Sequence, residues 1–265
     1  MTWCFLMHPL AVTSYLRQRN NAHLFSFARM GQNKLERFAA IKNFPNVLQN
    51  PPDMAGNWHR HFGNNNPITL ELACGKGEYT VGLSALYPSR NYIGIDVKGN
   101  RLYVGAKQCL AANRHNAAFL RTKIDQISSF FGKNEVSEAW ITFPDPQLRR
   151  AHAKKRLTHP KFLRLYQQFM APGSLIHLKT DSPVLYRFTR MVIELYNLEL
   201  VDATDDLYAR TEIIPDLQIK THYESLDIAG SNRIHYISFR LPAAILPDRD
   251  QELKELVFEY EEATG

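Results

Sequence analysis

The sequence predicts an α/β fold built around a mostly parallel β-sheet, and three observations lead to this prediction. Short apolar runs alternate with segments of helical periodicity, a pattern typical of βαβ units. Hydrophobic residues make up 45% of the chain and charged residues 22%, a balance that can bury a core. No apolar run approaches the ~20 residues that a membrane-spanning helix needs, which argues against an integral membrane protein.

The individual elements follow from periodicity and from residues that start or stop a helix. Strands are predicted at 68–73, 91–96, 139–143 and 174–179, with closing strands at 198–202 and 234–240. Helices are predicted at 78–86, 100–113, 160–170 and 184–196. Pro160 suits a first helical turn, and Pro172 with Gly173 marks a stop before the next strand.

The excess of basic residues bears on the kind of partner. The chain has 265 residues, with 32 Lys and Arg against 26 Asp and Glu, which gives a net charge of +6 and an isoelectric point near 9.2. Such an excess favours a polyanionic partner. Cys4, Cys74 and Cys109 are odd in number and far apart, so they predict a reducing, cytoplasmic compartment and no disulfide framework.

The two ends of the chain differ in charge. No Asp or Glu precedes Glu36, and residues 1–30 are predicted to be a disordered tail or a stretch upstream of a working start at Met30. An organelle transit peptide is the alternative. Residues 246–265 are predicted to form an acidic amphipathic helix or tail, with apolar side chains at Leu253, Leu256, Val257 and Tyr260.

The glycine turn after the first predicted strand indicates an adenosine-bearing cofactor. Gly75 and Gly77 allow close backbone approach before a helix whose first N–H groups can bind a ligand. Asp96 ends the next strand, where an acid accepts the hydroxyls of an adenosine ribose. Glu71 repels a pyrophosphate but suits a cationic ligand, which favours S-adenosylmethionine over NAD. The alternatives are an ordinary tight turn for the glycines and, for Glu71, a contact with a helix terminus or a structural salt bridge.

A second motif lies at the carboxyl end of the strand predicted at 139–143. Asp145 stands between Pro144 and Pro146, whose rings restrict the backbone and hold the carboxylate in place. The cations that follow are Arg149, Arg150, Lys154, Lys155, Arg156 and Lys161, with His152 and His159 among them. So dense a basic loop without acids, at the ligand-binding edge of a sheet, predicts phosphate contacts. The alternatives are a simple proline turn and a solvated run of charge.

Three further polar residues are candidates for the same site. Asp181 follows the strand predicted at 174–179, and Thr221 and Glu224 lie in a Thr-His-Tyr-Glu sequence. Taken singly, each also has an ordinary structural explanation. His177 is predicted to be a satisfied interior histidine, since no cluster of His, Cys and Asp has the spacing of a metal site.

The order of these motifs resembles that of the tRNA (guanine-N7-)-methyltransferase family. The segments that carry the resemblance are ELACGKGEY, GID, FPDP with its basic loop, KTD and T-x-Y-E, within residues 31–241. The resemblance implies a Rossmann-like methyltransferase fold over residues 31–245, with a mostly parallel seven-stranded sheet and helices on both faces. It also implies methyl transfer from S-adenosylmethionine to N7 of a variable-loop guanosine, conventionally tRNA position 46.

The resemblance implies roles for particular residues. Asp145 is implied as the catalytic residue, next to both cofactor and target base. The residues implied to bind the cofactor are Glu71, Gly75, Gly77, Asp96 and Asp145. The residues implied to bind the substrate are Arg149, Asp181, Thr221 and Glu224. No metal ligand is implied, and the basic loop at 149–161 is expected to contact tRNA phosphates.

The reaction that the resemblance implies needs alignment more than proton removal. N7 of guanine presents an unprotonated lone pair, so no base has to act before attack. We hypothesise that Asp145 and Asp181 orient the guanine through its N1 and N2 protons. Their charges would also stabilise the cation that develops on the purine.

The chain departs from the family pattern at three points. Only the last two glycines of a GxGxG-like loop are present, after Ala73 and Cys74. Gln147 stands where the family often has Trp, and Lys123 stands where an acid is expected, with Asp125 two residues later. These departures leave a non-catalytic tRNA-binding protein as the alternative. The third glycine of a dinucleotide fingerprint is also absent, which argues against an NAD-dependent dehydrogenase.

Overall fold

The computed structural model describes residues 34–226, 230 and 233–264. The predicted N-terminal extension and the alternative start at Met30 lie outside these residues. A helical segment at 34–40 begins the described chain. None of the helices in these ranges has the length and apolar character needed to cross a membrane.

An eight-stranded sheet lies at the centre of the described chain. The strands are β1 (Val47–Gln49), β2 (Ile68–Leu72), β3 (Asn91–Asp96), β4 (Ala117–Arg121), β5 (Val136–Thr142), β6 (Met170–Thr180), β7 (Leu200–Thr204) and β8 (His235–Arg240). Their order across the sheet is β1-β4-β3-β2-β5-β6-β8-β7. β8 runs antiparallel to both of its neighbours, β6 and β7, and the other pairings are parallel, so the predicted mostly parallel α/β class is confirmed for the described residues. The sheet has eight strands rather than the expected seven, because the short β1 pairs with the edge of β4.

Helices cover both faces of this sheet. They are α1 (Trp58–Phe62), α2 (Glu78–Leu86), α3 (Gly99–Ala111), α4 (Pro160–Tyr166), α5 (Pro183–Leu195), α6 (Pro215–Gln218) and α7 (Asp250–Thr264). The crossovers through α2 and α3 run from β2 toward one edge, and the crossover through α4 runs from β5 toward the other. Because such crossovers are right-handed, the two sets of helices lie on opposite faces. Accordingly, Leu102 of α3 packs with Phe119, whereas Leu163 of α4 packs in the cluster that contains the adjacent Leu120.

The first part of β6 corrects one predicted boundary. The helix predicted at 160–170 ends at Tyr166, and β6 begins at Met170, so Pro172 and Gly173 lie within the strand rather than before it. The pairing register between β5 and β6 shifts at this place, and Gly173 has φ +77°. Such irregular strand positions tolerate proline and glycine because the regular ladder is already interrupted.

The two central strands β2 and β3 leave only their ends free for polar function. Every residue of β2 and β3 is buried, as expected for strands covered on both faces.

The acidic C-terminal segment forms helix α7, as predicted. Its Leu253 and Val257 are buried in the main core, whereas Leu256 is 38% exposed.

Candidate active site

Four adjacent strands bring the predicted carboxylates to one edge of the sheet. Asp96 ends β3, Glu71 lies one residue before the end of β2, Asp145 follows β5, and Asp181 follows β6. The strands β3, β2, β5 and β6 are consecutive and parallel. At about 4.8 Å between neighbouring strands, the row spans about 14 Å. The strand order reverses between β2 and β5, where an open sheet has a crevice for ligands.

The glycine turn after β2 holds Asp96 in a fixed orientation. Gly75 N donates to Asp96 Oδ2 at 2.9 Å, and Lys98 N donates to Asp96 Oδ1 at 2.8 Å. Gly75 and Gly77 have φ +58° and +74°, a region that favours glycine. A Cβ at Gly77 would also lie 2.5 Å from the Phe119 ring. The turn therefore needs glycine at position 77 for both its backbone conformation and its packing.

Glu71 joins helix α2 to the two central strands. Its side chain is buried, and Oε2 accepts hydrogen bonds from Thr80 N at 2.7 Å and Thr80 Oγ1 at 2.6 Å. Thr142 Oγ1 donates to Oε1 at 3.2 Å. Burial raises the pKa of Glu71 to about 7 despite these donors. These contacts give Glu71 an internal role, and its contact with a cofactor stays a prediction.

A cavity of about 440 Å³ lies beside Asp96 at the same edge. Its lining residues are Ala73, Asp96, Val97, Thr122, Lys123, Ile124, Asp125, Lys155, Leu157, Lys161 and Phe162. Thr122 is 5% exposed, and its Oγ1 has no hydrogen-bond partner among the described residues. Asp125 accepts from Lys161 Nζ at 2.5 Å, so the basic run has an acid partner from another segment. A carboxylate, an unpaired hydroxyl and apolar walls together fit an adenosine group.

The turn that carries Asp145 has left-handed backbone on both sides of that residue. Phe143 has φ +47° and Gln147 has φ +49°. Gln147 N donates to Asp145 Oδ1 at 3.0 Å, and Phe143 N donates to Lys179 O at 2.8 Å. Asp145 is exposed. The turn therefore presents this carboxylate to solvent at the end of β5, beside the end of β6.

The basic loop divides into an exposed part and a buried part. The cations Arg149, Arg150, Lys154 and Lys155 are exposed, as the predicted phosphate contacts require. Arg156 is 1% exposed and donates to main-chain carbonyls near Asp145, so the expectation that it contacts phosphate is wrong. A guanidinium enclosed in this way cannot reach a phosphate outside the protein.

His159 also turns inward from this loop. Its Nδ1 accepts from Lys161 N at 3.0 Å and caps helix α4. Burial lowers the pKa of His159 to about 4, which keeps the ring neutral near pH 7. His159 therefore contributes to the start of a helix rather than to the positive charge of the loop.

The Thr-His-Tyr-Glu segment is fixed to the end of β6 by a buried lysine. Lys179 Nζ donates to Leu217 O, Ile219 O and Glu224 Oε2, each at 3.0 Å. Burial lowers the pKa of Lys179, which the Glu224 carboxylate partly offsets. Tyr208 Oη donates to the other oxygen of Glu224. Thr221 Oγ1 accepts from Glu224 N at 3.1 Å, so the segment is closely tied together.

The same segment also reaches the glycine turn. His222 N donates to Glu78 Oε1 at 3.3 Å, at the start of α2. A Cβ at Gly75 would lie 3.7 Å from the Tyr223 ring, which places that ring over the turn. The glycine turn and the segment that carries Thr221 and Glu224 are therefore neighbours, and a shared site for cofactor and substrate stays a prediction.

Two residues of this site were missed by the sequence predictions. Lys179 lies in the buried last part of β6 and two residues before Asp181, and a lysine in such a position is a signal that it is paired inside the fold. Thr122 stands beside Lys123 at the expected acid position, but its unpaired hydroxyl is visible only in three dimensions.

His177 lies in the interior, as predicted, with Nε2 3.5 Å from Glu138 Oε1. His177 Nδ1 lies 2.8 Å from Tyr236 Oη, and its ring stacks on Trp140 with centroids 3.9 Å apart, which confirms an interior histidine. Across the described ranges, no group of three or more His, Cys, Asp and Glu side chains could hold a metal ion.

Comparisons with known proteins agree with the geometry. A family model described as a putative methyltransferase, Methyltransf_4, matches residues 65–235. The tRNA (guanine-N(7)-)-methyltransferase of Bacteroides thetaiotaomicron is 44% identical over 236 residues, which cover 85% of this chain and 92% of that protein. The protein of the same name from Porphyromonas gingivalis is 45% identical over 213 residues, covering 76% and 86%.

A solved structure shares the fold at much lower sequence similarity. The 16S rRNA methyltransferase KamB aligns with a TM-score of 0.54 and 12% identity, over 71% of this chain and 93% of that one. A Rossmann-like methyltransferase fold is therefore common to both proteins. Together with the two relatives from Bacteroides and Porphyromonas, the motifs and their positions show that the chain belongs to the tRNA (guanine-N7-)-methyltransferase family.

Proposed function

We propose that this chain is an enzyme of the cytoplasm that methylates N7 of a guanosine in tRNA, at position 46 of the variable loop. The observation that supports it best is the row of carboxylates on β3, β2, β5 and β6, next to a cavity suited to adenosine. The 44% identity to a relative named for this activity supports the same reaction and the same substrate class.

The cavity beside Asp96 has the groups that S-adenosylmethionine requires. When bound, this cofactor supplies an electrophilic methyl group. Asp96 would accept hydrogen bonds from the ribose hydroxyls, and the unpaired hydroxyl of Thr122 would form a hydrogen bond with the adenine. Gly75 and Gly77 give the turn its left-handed backbone, and the turn leads into α2, whose first N–H groups lie at the same edge. Glu71 supports this turn from inside the protein through Thr80.

The chain's other site residues would position the guanosine. Because N7 carries a free lone pair, no residue has to remove a proton there. Asp145 and Asp181 would accept hydrogen bonds from the N1–H and N2–H groups of the base and stabilise its developing positive charge. Thr221 and Glu224 would complete the nucleotide site from the segment held by Lys179. The exposed cations of the loop, Arg149 above all, would contact the RNA backbone.

Nucleoside analysis tests this proposal directly. The purified protein is incubated with unmodified tRNA and S-adenosylmethionine carrying a labelled methyl group, and the digested nucleosides are separated. We expect label in N7-methylguanosine, and strand scission at the methylated base should map it to position 46. Asp145→Ala should abolish most turnover while the tRNA dissociation constant changes little. Label in another base would contradict the proposal, and cofactor binding without transfer would support the non-catalytic alternative.

A further inference from the structure

We propose that Arg156 is a positioning residue that holds the Asp145 turn in its reactive shape. The inference rests on the proposed function, since it takes Asp145 to act on the target base. Nε of Arg156 donates to Pro146 O and Nη2 donates to Gln147 O, each at 3.2 Å. These carbonyls belong to the two residues that directly follow Asp145. One guanidinium therefore connects the Asp145 turn to the end of the short 3₁₀ helix at Arg150–Lys155.

The backbone of this turn explains why it needs such a connection. Phe143 and Gln147 are both non-glycine residues with positive φ, at +47° and +49°. A non-glycine residue in this region is strained and persists only where its surroundings hold it in place. The hydrogen bonds from Arg156 act on one of these two residues and on its neighbour. Without them, the turn should relax and move the Asp145 carboxylate.

The surroundings of Arg156 fit a fixed clamp. Its guanidinium carbon lies 4.5 Å from the centroid of the Phe188 ring, a residue of α5 that is 2% exposed. The planar group thus packs on an aromatic face while its edge donates to two carbonyls, a geometry that an ammonium cannot reproduce. Its exposed fraction of 1% separates it from Lys154, which stands two residues earlier in the same loop and is exposed.

The test compares Arg156→Met with Lys154→Met, because each substitution removes one positive charge from the loop. We expect kcat of Arg156→Met to fall about 10²-fold, the order of loss that a misplacement of about 1 Å produces. Its tRNA dissociation constant and the salt dependence of binding should stay at the wild-type values. Lys154→Met should instead reduce the slope of log K against log salt by about 0.7–0.9, the share of one phosphate contact.

Two further measurements separate positioning from a general loss of structure. Guanidinium chloride at low millimolar concentration should restore part of kcat in Arg156→Ala. Tetramethylammonium chloride at the same concentration should not. Arg156→Lys keeps the charge, so a phosphate contact predicts normal kcat and the clamp predicts a reduced kcat. If Arg156→Met or Arg156→Ala does not fold, as judged by circular dichroism and Tm, Arg156→Lys provides the test instead.

The outcomes distinguish this inference from the proposed function. Wild-type kcat in Arg156→Met or Arg156→Lys, or a flattened salt slope in Arg156→Met, would overturn the positioning role alone. Reduced kcat without rescue by guanidinium, in a folded alanine variant, would also overturn it. A wild-type protein that transfers no methyl group in the same assay would remove the proposed function and this inference with it.

Discussion

Replacing Lys179 by methionine should destabilise the protein by about 3–5 kcal/mol, the range for breaking a buried ion pair by removing one partner. The side chain of Lys179 is 0% exposed and that of Glu224 is 4% exposed. Methionine removes three donated hydrogen bonds at once, to Leu217 O, Ile219 O and Glu224 Oε2. It also leaves the Glu224 carboxylate buried without its cation, with Tyr208 as its remaining side-chain donor among the described residues.

The magnitude can be measured by urea unfolding of four proteins. These are the wild type, Lys179→Met, Glu224→Gln and the double variant. Since about 1.4 kcal/mol corresponds to a tenfold change in an equilibrium constant, Lys179→Met should shift the unfolding equilibrium by roughly 10²- to 10⁴-fold. The double variant should cost less than the sum of the two single variants by about 1 kcal/mol or more, because it leaves no unpaired buried charge.

The segment that Lys179 holds gives an independent check. Leu217 to Glu224 should lose amide protection in Lys179→Met, since its anchoring carbonyls no longer have a donor. A free energy of unfolding for Lys179→Met within about 1 kcal/mol of the wild-type value, with additive effects of the two single substitutions, would refute the role of the buried ion pair. Such a result would mean that the segment is held by its apolar contacts rather than by the buried cation.

Three further predictions follow from the same site. Gly77→Ala should lower the free energy of unfolding by about 1–3 kcal/mol more than Gly63→Ala does. Both glycines have positive φ, but only a Cβ at Gly77 would meet the Phe119 ring. Equal losses of stability in thermal unfolding would contradict this. Because the pKa of Glu71 is raised to about 7, the cofactor-free wild type should lose stability relative to Glu71→Gln as pH rises from about 4.5 to about 7. The difference should reach about 3 kcal/mol, and parallel stability curves would refute the raised pKa. Arg149→Gln should weaken tRNA binding and reduce the salt slope by about 0.7–0.9; an unchanged slope would exclude a phosphate contact there.

The fold was predictable where buried strands read as apolar runs. The ends of β2, β3, β5 and β6 follow from such runs, and the order of the motifs is enough to assign their acids to one edge of the sheet. The edge strand β1 has only three residues, all of intermediate burial. Such a segment is too short to show the alternation of apolar and polar residues that predicts a strand. The predicted start of β6 was wrong because Pro172 and Gly173 read as a helix stop, whereas they occupy an irregular strand pairing.

The site was predictable in its residue types but not in its internal connections. The run of cations after Asp145 predicts positive charge, yet a one-dimensional pattern does not show that Arg156 points inward. The role of Lys179 depends on acceptors 38–45 residues later in the chain, which no local spacing reveals. Thr122 is similar, because an unpaired hydroxyl is defined by what surrounds it.

We expect the row of carboxylates and the cavity beside Asp96 to form one site for the cofactor and the target base. A crystal structure with S-adenosylhomocysteine, the demethylated product, tests it most directly. We predict the ribose at Asp96, the adenine against Thr122, and the sulfur turned toward Asp145 and Asp181. Binding in another cavity, such as the groove between the basic loop and α7, would contradict the account.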